Sequence, residues 1–143
     1  RDKRPEGSMT VVTTSRKPAP EVRSLARDLA FAIGAEYTTR GKMGMDDLLS
    51  SHEGPVLIVS RSGQYFLIQV FSDGEVVADV RVLSFVVEER EGAISRGLTI
   101  SDHAVAAALE GLVDMVFWAD TLPEHRIVFD GRQRRRYTLT VAP

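Results

Sequence analysis

The sequence predicts a mixed α/β domain in which helices cover a twisted sheet. Three observations carry that reading. Short runs rich in β-branched residues occur near both ends of the chain, as at residues 10–14 and 137–141. Apolar residues recur at helical spacing between Val22 and Ile33. Between residues 56 and 87 three apolar runs follow one another with only turn residues between them, which reads as a meander.

Taken in order, residues 10–14 form a first strand and 15–18 a loop. Pro20 suits the first turn of a helix, where its missing N–H would be unpaired anyway, and Glu21 complements the helix dipole. Val22, Leu25, Ala26, Leu29, Ala32 and Ile33 make one buried face, and Gly34 ends the helix. Residues 35–39 are a second short strand, followed by the basic turn Arg40-Gly41-Lys42. A short helix spans 45–51, with Asp46 and Asp47 in its first turn. The continuous run Val56-Leu57-Ile58-Val59 marks a strand buried on both faces. Strands over 65–71 and 76–87 flank the hairpin turn Ser72-Asp73-Gly74. Residues 88–97 are charged and loop-like. Ser101 is the expected cap of a second long helix, with Val105, Leu109, Leu112, Val116 and Phe117 along one side; residues 112–118 could instead form a strand. Strands at 126–129 and 137–141 enclose an arginine-rich hairpin loop. Strand–helix–strand thus occurs once near each end.

Composition bounds the function. At 143 residues with 43% hydrophobic and 27% charged residues, one domain over 9–143 is expected, with halves of roughly 9–75 and 76–143. Residues 1–8 read as a disordered arm or a cloning remnant. There are no cysteines, which removes disulfides and thiolate chemistry and suits a reducing cytoplasm. No signal peptide and no membrane span are expected. The net charge of −2 hides an asymmetry: residues 1–42 carry 9 Lys/Arg against 5 Asp/Glu, residues 43–125 carry 4 against 14, and residues 126–143 carry 5 against 1. If the two basic ends meet, they form one basic face.

Enzyme readings find little support. His52, His103 and His125 form no metal-binding pair by spacing. Ser15 lacks a nucleophile elbow, and no Gly-rich nucleotide loop is present. Glu88, Glu89 and Glu91 read as a solvated acidic loop rather than a cation site. No catalytic residue, metal or cofactor is expected.

Phosphate chemistry is better supported. Thr14, Ser15, Arg16 and Lys17 place hydroxyls and cations just before a helix N-terminus, where N–H groups and the dipole favour an anion. The residues alone leave a second reading open, in which Thr and Ser only cap the helix. Arg40 and Lys42 flank a glycine after the second strand; a parallel pairing would set them beside Arg16 and Lys17. Arg132, Arg134, Arg135 and Arg136 are dense enough to read as a nucleic-acid patch. Phe66, Phe71, Phe85, Phe117, Phe129 and Trp118 are assigned to the core.

The run Thr13-Thr14-Ser15-Arg16-Lys17-Pro18, the helix after it, and Arg40-Gly41-Lys42-Met43 with a short Asp/Leu helix resemble the Brix domain, especially its small archaeal members, which resemble the U3 small-nucleolar-ribonucleoprotein component. The resemblance covers about residues 10–60. It implies an α/β fold of two halves, each similar to a class IIa aminoacyl-tRNA synthetase anticodon-binding domain. It also implies a non-catalytic ribosome-biogenesis factor that binds precursor ribosomal RNA and assists its processing or assembly. Thr14, Ser15, Arg16, Lys17, Arg40 and Lys42 are the residues it carries over; the arginine hairpin rests on charge alone. Ribosomal RNA is the expected partner, with ribosomal or assembly proteins beside it and neither DNA nor a membrane. The alternative is an interaction module whose acidic middle docks a basic ribosomal or assembly protein.

Overall fold

A computed structural model describes residues 10–39 and 44–143. The elements are β1 (Val11–Thr14), α1 (Pro20–Ile33), β2 (Glu36–Tyr37), α2 (Met45–Ser51), β3 (Val56–Ser62), β4 (Tyr65–Ser72), β5 (Glu75–Glu89), β6 (Leu98–Ile100), α3 (His103–Leu109), β7 (Val116–Trp118), β8 (Arg126–Asp130) and β9 (Arg135–Val141). The strands form one nine-stranded mixed sheet in the order β2-β1-β3-β4-β5-β9-β8-β6-β7. The predicted α/β class holds. The sheet is continuous across its middle, because the first part of β5 pairs with β4 and the rest with β9, with a register shift between Val82 and Ser84.

The first third follows local chemistry closely. Pro20 opens α1, and Gly34 closes it at φ 69°, its N–H reaching the carbonyls of Ala30 and Phe31. Both β2 and β3 pair in parallel with β1. Leu57 and Val59 join the main core with α1, whereas Val56 and Ile58 pack against Leu48 of α2 on the opposite face. This is the two-sided burial that the apolar run predicts. In the β4–β5 turn Asp73 and Gly74 both have positive φ, 54° and 82°, as a two-residue hairpin requires.

The second half departs from the sequence reading in four places. β6 is a three-residue strand just after the segment read as a loop. β5 runs to Glu89, two residues beyond its predicted end, because it continues along β9. The helix α3 stops at Leu109, where Glu110 turns to extended backbone, and Gly111 at φ 86° shapes the turn after it; 116–118 form a strand, the alternative reading. Its cap is Asp102, whose Oδ1 accepts from the Val105 N–H at 2.9 Å. Ser101 is not the cap because its hydroxyl is committed elsewhere, to the Pro123 carbonyl at 2.6 Å. Both α1 and α3 contribute to the main core, so they cover the same face of the sheet.

Candidate nucleic-acid interface

The three parallel strands β2, β1 and β3 set the geometry of the first motif. From β1 the chain crosses over through α1 to β2, then returns through α2 to β3 on the other side of β1. The two helices lie on opposite faces of the sheet. The carboxyl end of β1 is therefore a topological switch point, the place where open α/β sheets leave a crevice for a ligand. Thr14-Ser15-Arg16-Lys17 occupies that end.

Each residue of the joint has a distinct setting. Thr13 is buried, and its hydroxyl donates to the Thr38 carbonyl, which ties the ends of β1 and β2 together. Thr14 is also buried; its hydroxyl donates to the Ser15 carbonyl at 2.9 Å. The Ser15 N–H donates to the Val59 carbonyl at 3.2 Å. Arg16 and Lys17 are exposed, with Lys17 in the left-handed region at φ 53°. Neither Thr nor Ser caps α1: the N-cap is Ala19, and no side chain bonds to it. The capping reading of the joint is thereby removed.

A further cation, missed in the sequence, belongs to this end of the sheet. Thr14 pairs with Val59, so Arg61 on β3 lies as far beyond that pair as Arg16 does. Arg61 donates to Glu21 of the first turn of α1 at 2.6 Å, with both side chains about half exposed. The signal was present in Val56–Ser62, yet it acquires meaning only once β3 is known to run parallel to β1. The same pairing puts the end of β2 beside that of β1; Arg40 and Lys42 themselves lie outside the described residues.

The arginine hairpin is differently employed. Arg135 and Arg136 lie within β9, not in the loop. Asp28, fully buried on α1, receives Arg132 Nε at 2.7 Å, the Arg132 N–H at 2.9 Å, Arg135 Nε at 3.0 Å and the Tyr137 hydroxyl. Burial alone would raise its pKa, but the hydrogen bonds from Arg135, Tyr137 and Arg132 outweigh it and hold the carboxyl below its usual range. Burial and the Asp28 hydrogen bond push the Tyr137 phenol upward. Arg136 forms a similar pair with buried Asp130 at 2.7 Å. Arg134, at the tip, reaches the Arg90 carbonyl at 2.9 Å and Glu89 at 3.7 Å and stays exposed. Three of the four arginines thus neutralise buried carboxylates that bind the hairpin to α1 and to β8.

The second strand-to-helix joint, from β6 into α3, has the opposite chemistry. His125 Nδ1 meets Asp102 Oδ2 at 2.6 Å, and the His103 ring stacks on Trp118 with centroids 4.2 Å apart. Burial works against ionisation of Asp102, but His125 and the α3 amides lower its pKa on balance. These groups line an open cleft of about 380 Å³ together with Asp120, Leu122 and Glu124. The two histidines, separated in sequence, converge here. Phe117 and Trp118, assigned to the core, are 51% and 46% exposed because β7 is an edge strand.

A mixed sheet with helices on both faces and exposed cations at its switch point sets the class of fold; comparison with known proteins gives it relatives. No family model matches the chain. A protein of Methanothermobacter thermautotrophicus named a probable Brix domain-containing ribosomal biogenesis protein is 44% identical over 50 residues, 35% of this chain and 32% of that protein. Its namesake in Archaeoglobus fulgidus is 33% identical over 72 residues, covering 50% and 47% of the two chains. The match therefore spans between a third and a half of the length of these relatives. Among solved structures, an archaeal Imp4-like protein superposes with a TM-score of 0.65 at 21% identity, covering 94% of this chain and 97% of that one. A probable ribosomal biogenesis protein from Aeropyrum pernix superposes with a TM-score of 0.66 at 18% identity, covering 95% and 96%. The resemblance to the Brix domain is borne out: the chain has homologues that carry that name in archaea and shares the fold of archaeal Imp4-like proteins. No helix of the described residues is long and apolar enough to cross a membrane.

Proposed function

We propose that this chain is a non-catalytic ribosome-assembly factor that binds precursor ribosomal RNA at the carboxyl ends of β1, β2 and β3. The observation that carries the reading is the topological switch point at β1, which holds exposed Arg16 and Lys17 beside Arg61 at the start of an α1 left without a side-chain cap. Arg16 and Lys17 supply phosphate contacts. The buried Thr13 and Thr14 shape the backbone that presents them. Arg40 and Lys42 join the proposal through the resemblance and their place after β2 in the sequence. The names of the archaeal relatives support ribosome biogenesis as the setting. The arginine hairpin enters only through Arg134, since its other guanidinium groups already hold carboxylates.

The test is binding to a structured fragment of ribosomal RNA as a function of salt. Replacing Arg16→Ala and Lys17→Ala together should weaken binding by about tenfold or more and flatten the salt dependence by roughly one to two phosphate equivalents. Melting temperature should stay unchanged. If affinity and salt slope both survive, the joint is not the RNA site.

A further inference from the structure

The far edge of the sheet offers a second surface with chemistry unsuited to RNA. β7 is the last strand of the sheet and, among the described residues, pairs with β6 alone, in parallel. The Leu98 N–H donates to the Met115 carbonyl at 2.8 Å, and the Ala119 N–H donates to the Ile100 carbonyl at 3.0 Å. By the alternation of a parallel ladder, Met115, Phe117 and Ala119 face β6, while the backbone groups of Val116 and Trp118 face outward. This edge carries apolar surface: Met115, Phe117 and Trp118 are 37%, 51% and 46% exposed. The edge is short, three residues, yet its outward N–H and C=O groups with exposed apolar side chains beside them form a template on which one further short strand can pair.

Charge selects the occupant. Residues 97–125 contain Asp102, Glu110, Asp114, Asp120 and Glu124 and no Lys or Arg. Asp120 and Glu124 are exposed and line the cleft beside the stacked His103–Trp118 pair. The neighbouring cation, Arg126, turns its guanidinium to the Glu124 carbonyl at 2.7 Å. An indole face with carboxylates beside it suits a cationic side chain, and the same carboxylates repel a phosphate backbone.

We propose that the β7 edge and its cleft dock an extended, Lys/Arg-bearing segment of a protein partner. The segment adds a strand to Val116–Trp118 and places a cationic side chain over Trp118, between Asp120 and Glu124. This surface goes beyond the RNA reading and uses none of its residues.

Trp118 is the only tryptophan in the chain, so its emission reports on the cleft directly. The full chain is titrated with a peptide of about ten residues alternating arginine and valine, long enough to pair with the edge strand. The same peptide with glutamate for arginine and a short single-stranded RNA serve as comparisons. A saturable, salt-sensitive change in Trp118 emission is expected with the basic peptide alone, together with slowed hydrogen exchange at the Val116 and Trp118 amides. Asp120→Asn with Glu124→Gln should weaken binding by about tenfold, whereas Arg16→Ala with Lys17→Ala should leave it unchanged. The proposal is overturned by an absent response, by an equal response to the acidic peptide or the RNA, by indifference to the carboxylate variant, or by self-association that protects the same amides without peptide. Loss of RNA binding in the Arg16/Lys17 variant bears only on the first site, so the two readings fail separately.

Discussion

Two strand-to-helix joints, Thr14–Pro20 and Ile100–His103, begin similar strand–helix–strand units and come to opposite ends. Each unit sends its helix to the same face of the sheet and finishes in an edge strand, β2 or β7. At the first joint the helix has 14 residues, its cap side chain is only Ala19, and the preceding loop exposes two cations. At the second the helix has 7 residues, Asp102 caps it, and the surrounding segment carries carboxylates and histidines. At the uncapped start Pro20 has no N–H and the Val22 and Arg23 amides donate to the Ala19 carbonyl, so the exposed Arg16 and Lys17 are what this joint offers an anion. The capped one has satisfied its own amides and turns a negative, aromatic surface outward. One backbone arrangement thus supports two partner chemistries, and side chains at a few positions decide which.

The comparison depends on the two units being held in one frame, and Asp28 ties them together. It lies on α1 yet bonds to Arg132, Arg135 and Tyr137 of the other half. Gly131 packs so closely that an added Cβ would come within 2.6 Å of the Asp28 side chain. Asp28→Ala strands two arginines and a phenol around a cavity and should cost roughly 3–5 kcal/mol in urea unfolding, the range for breaking a buried pair. The pH dependence has a definite sign. The folded pKa of Asp28 is depressed from 3.8, so its contribution is complete above that value and is lost as pH falls through the lower folded value. Acid unfolding below about pH 4 should therefore be less steep in Asp28→Asn than in the parent chain. Equal steepness would mean that other carboxylates govern acid stability.

The second joint gives a smaller effect. Asp102→Ala removes the α3 cap and the partner of His125, and should destabilise the chain by about 1–2 kcal/mol. RNA affinity should be untouched. A loss of RNA binding without a loss of stability would show that the acidic joint takes part in the cationic site, and the contrast between them would collapse.

The first half was largely legible in the sequence because its signals are local. Pro20, Gly34, the run at Val56–Val59 and the Asp73-Gly74 turn each specify their own backbone. The second half was less legible because tertiary pairing overrides local pattern there. β6 has three residues and exists because β7 and β8 flank it. Apolar periodicity beyond Leu109 suggested more helix, but Val116 and Phe117 were needed at the edge. The candidate site was half legible: Arg16 and Lys17 could be read directly, while Arg61 waited on the parallel register. The partners of the arginine hairpin were illegible for a physical reason. Composition shows four cations but not Asp28, which lies about a hundred residues away in the chain and neutralises two of them.

Arg61→Ala should have little effect on stability, since its pair with Glu21 is exposed and such pairs contribute about 0.2–1 kcal/mol. Its effect on RNA should be a salt slope lower by less than one phosphate equivalent, because Glu21 already shares its charge. An unchanged slope would place the RNA on the β1–β2 side of the joint and away from β3.

Arg134→Ala should be milder still and sharpens the contrast within the hairpin itself. Arg134 is held by an exposed carboxylate 3.7 Å away and a carbonyl, whereas Arg135 is held by buried Asp28. Unfolding stability should change by no more than about 0.5 kcal/mol for Arg134→Ala. For Arg135→Ala it should fall by about 1.5–3 kcal/mol, since buried Asp28 loses one charged partner and keeps Arg132 and Tyr137. If RNA affinity drops about twofold to threefold in Arg134→Ala at constant stability, the hairpin tip reaches the phosphate backbone. If it is unchanged, the charge density that made residues 132–136 conspicuous serves to close the fold around Asp28 and Asp130, and RNA contact belongs to the first joint alone.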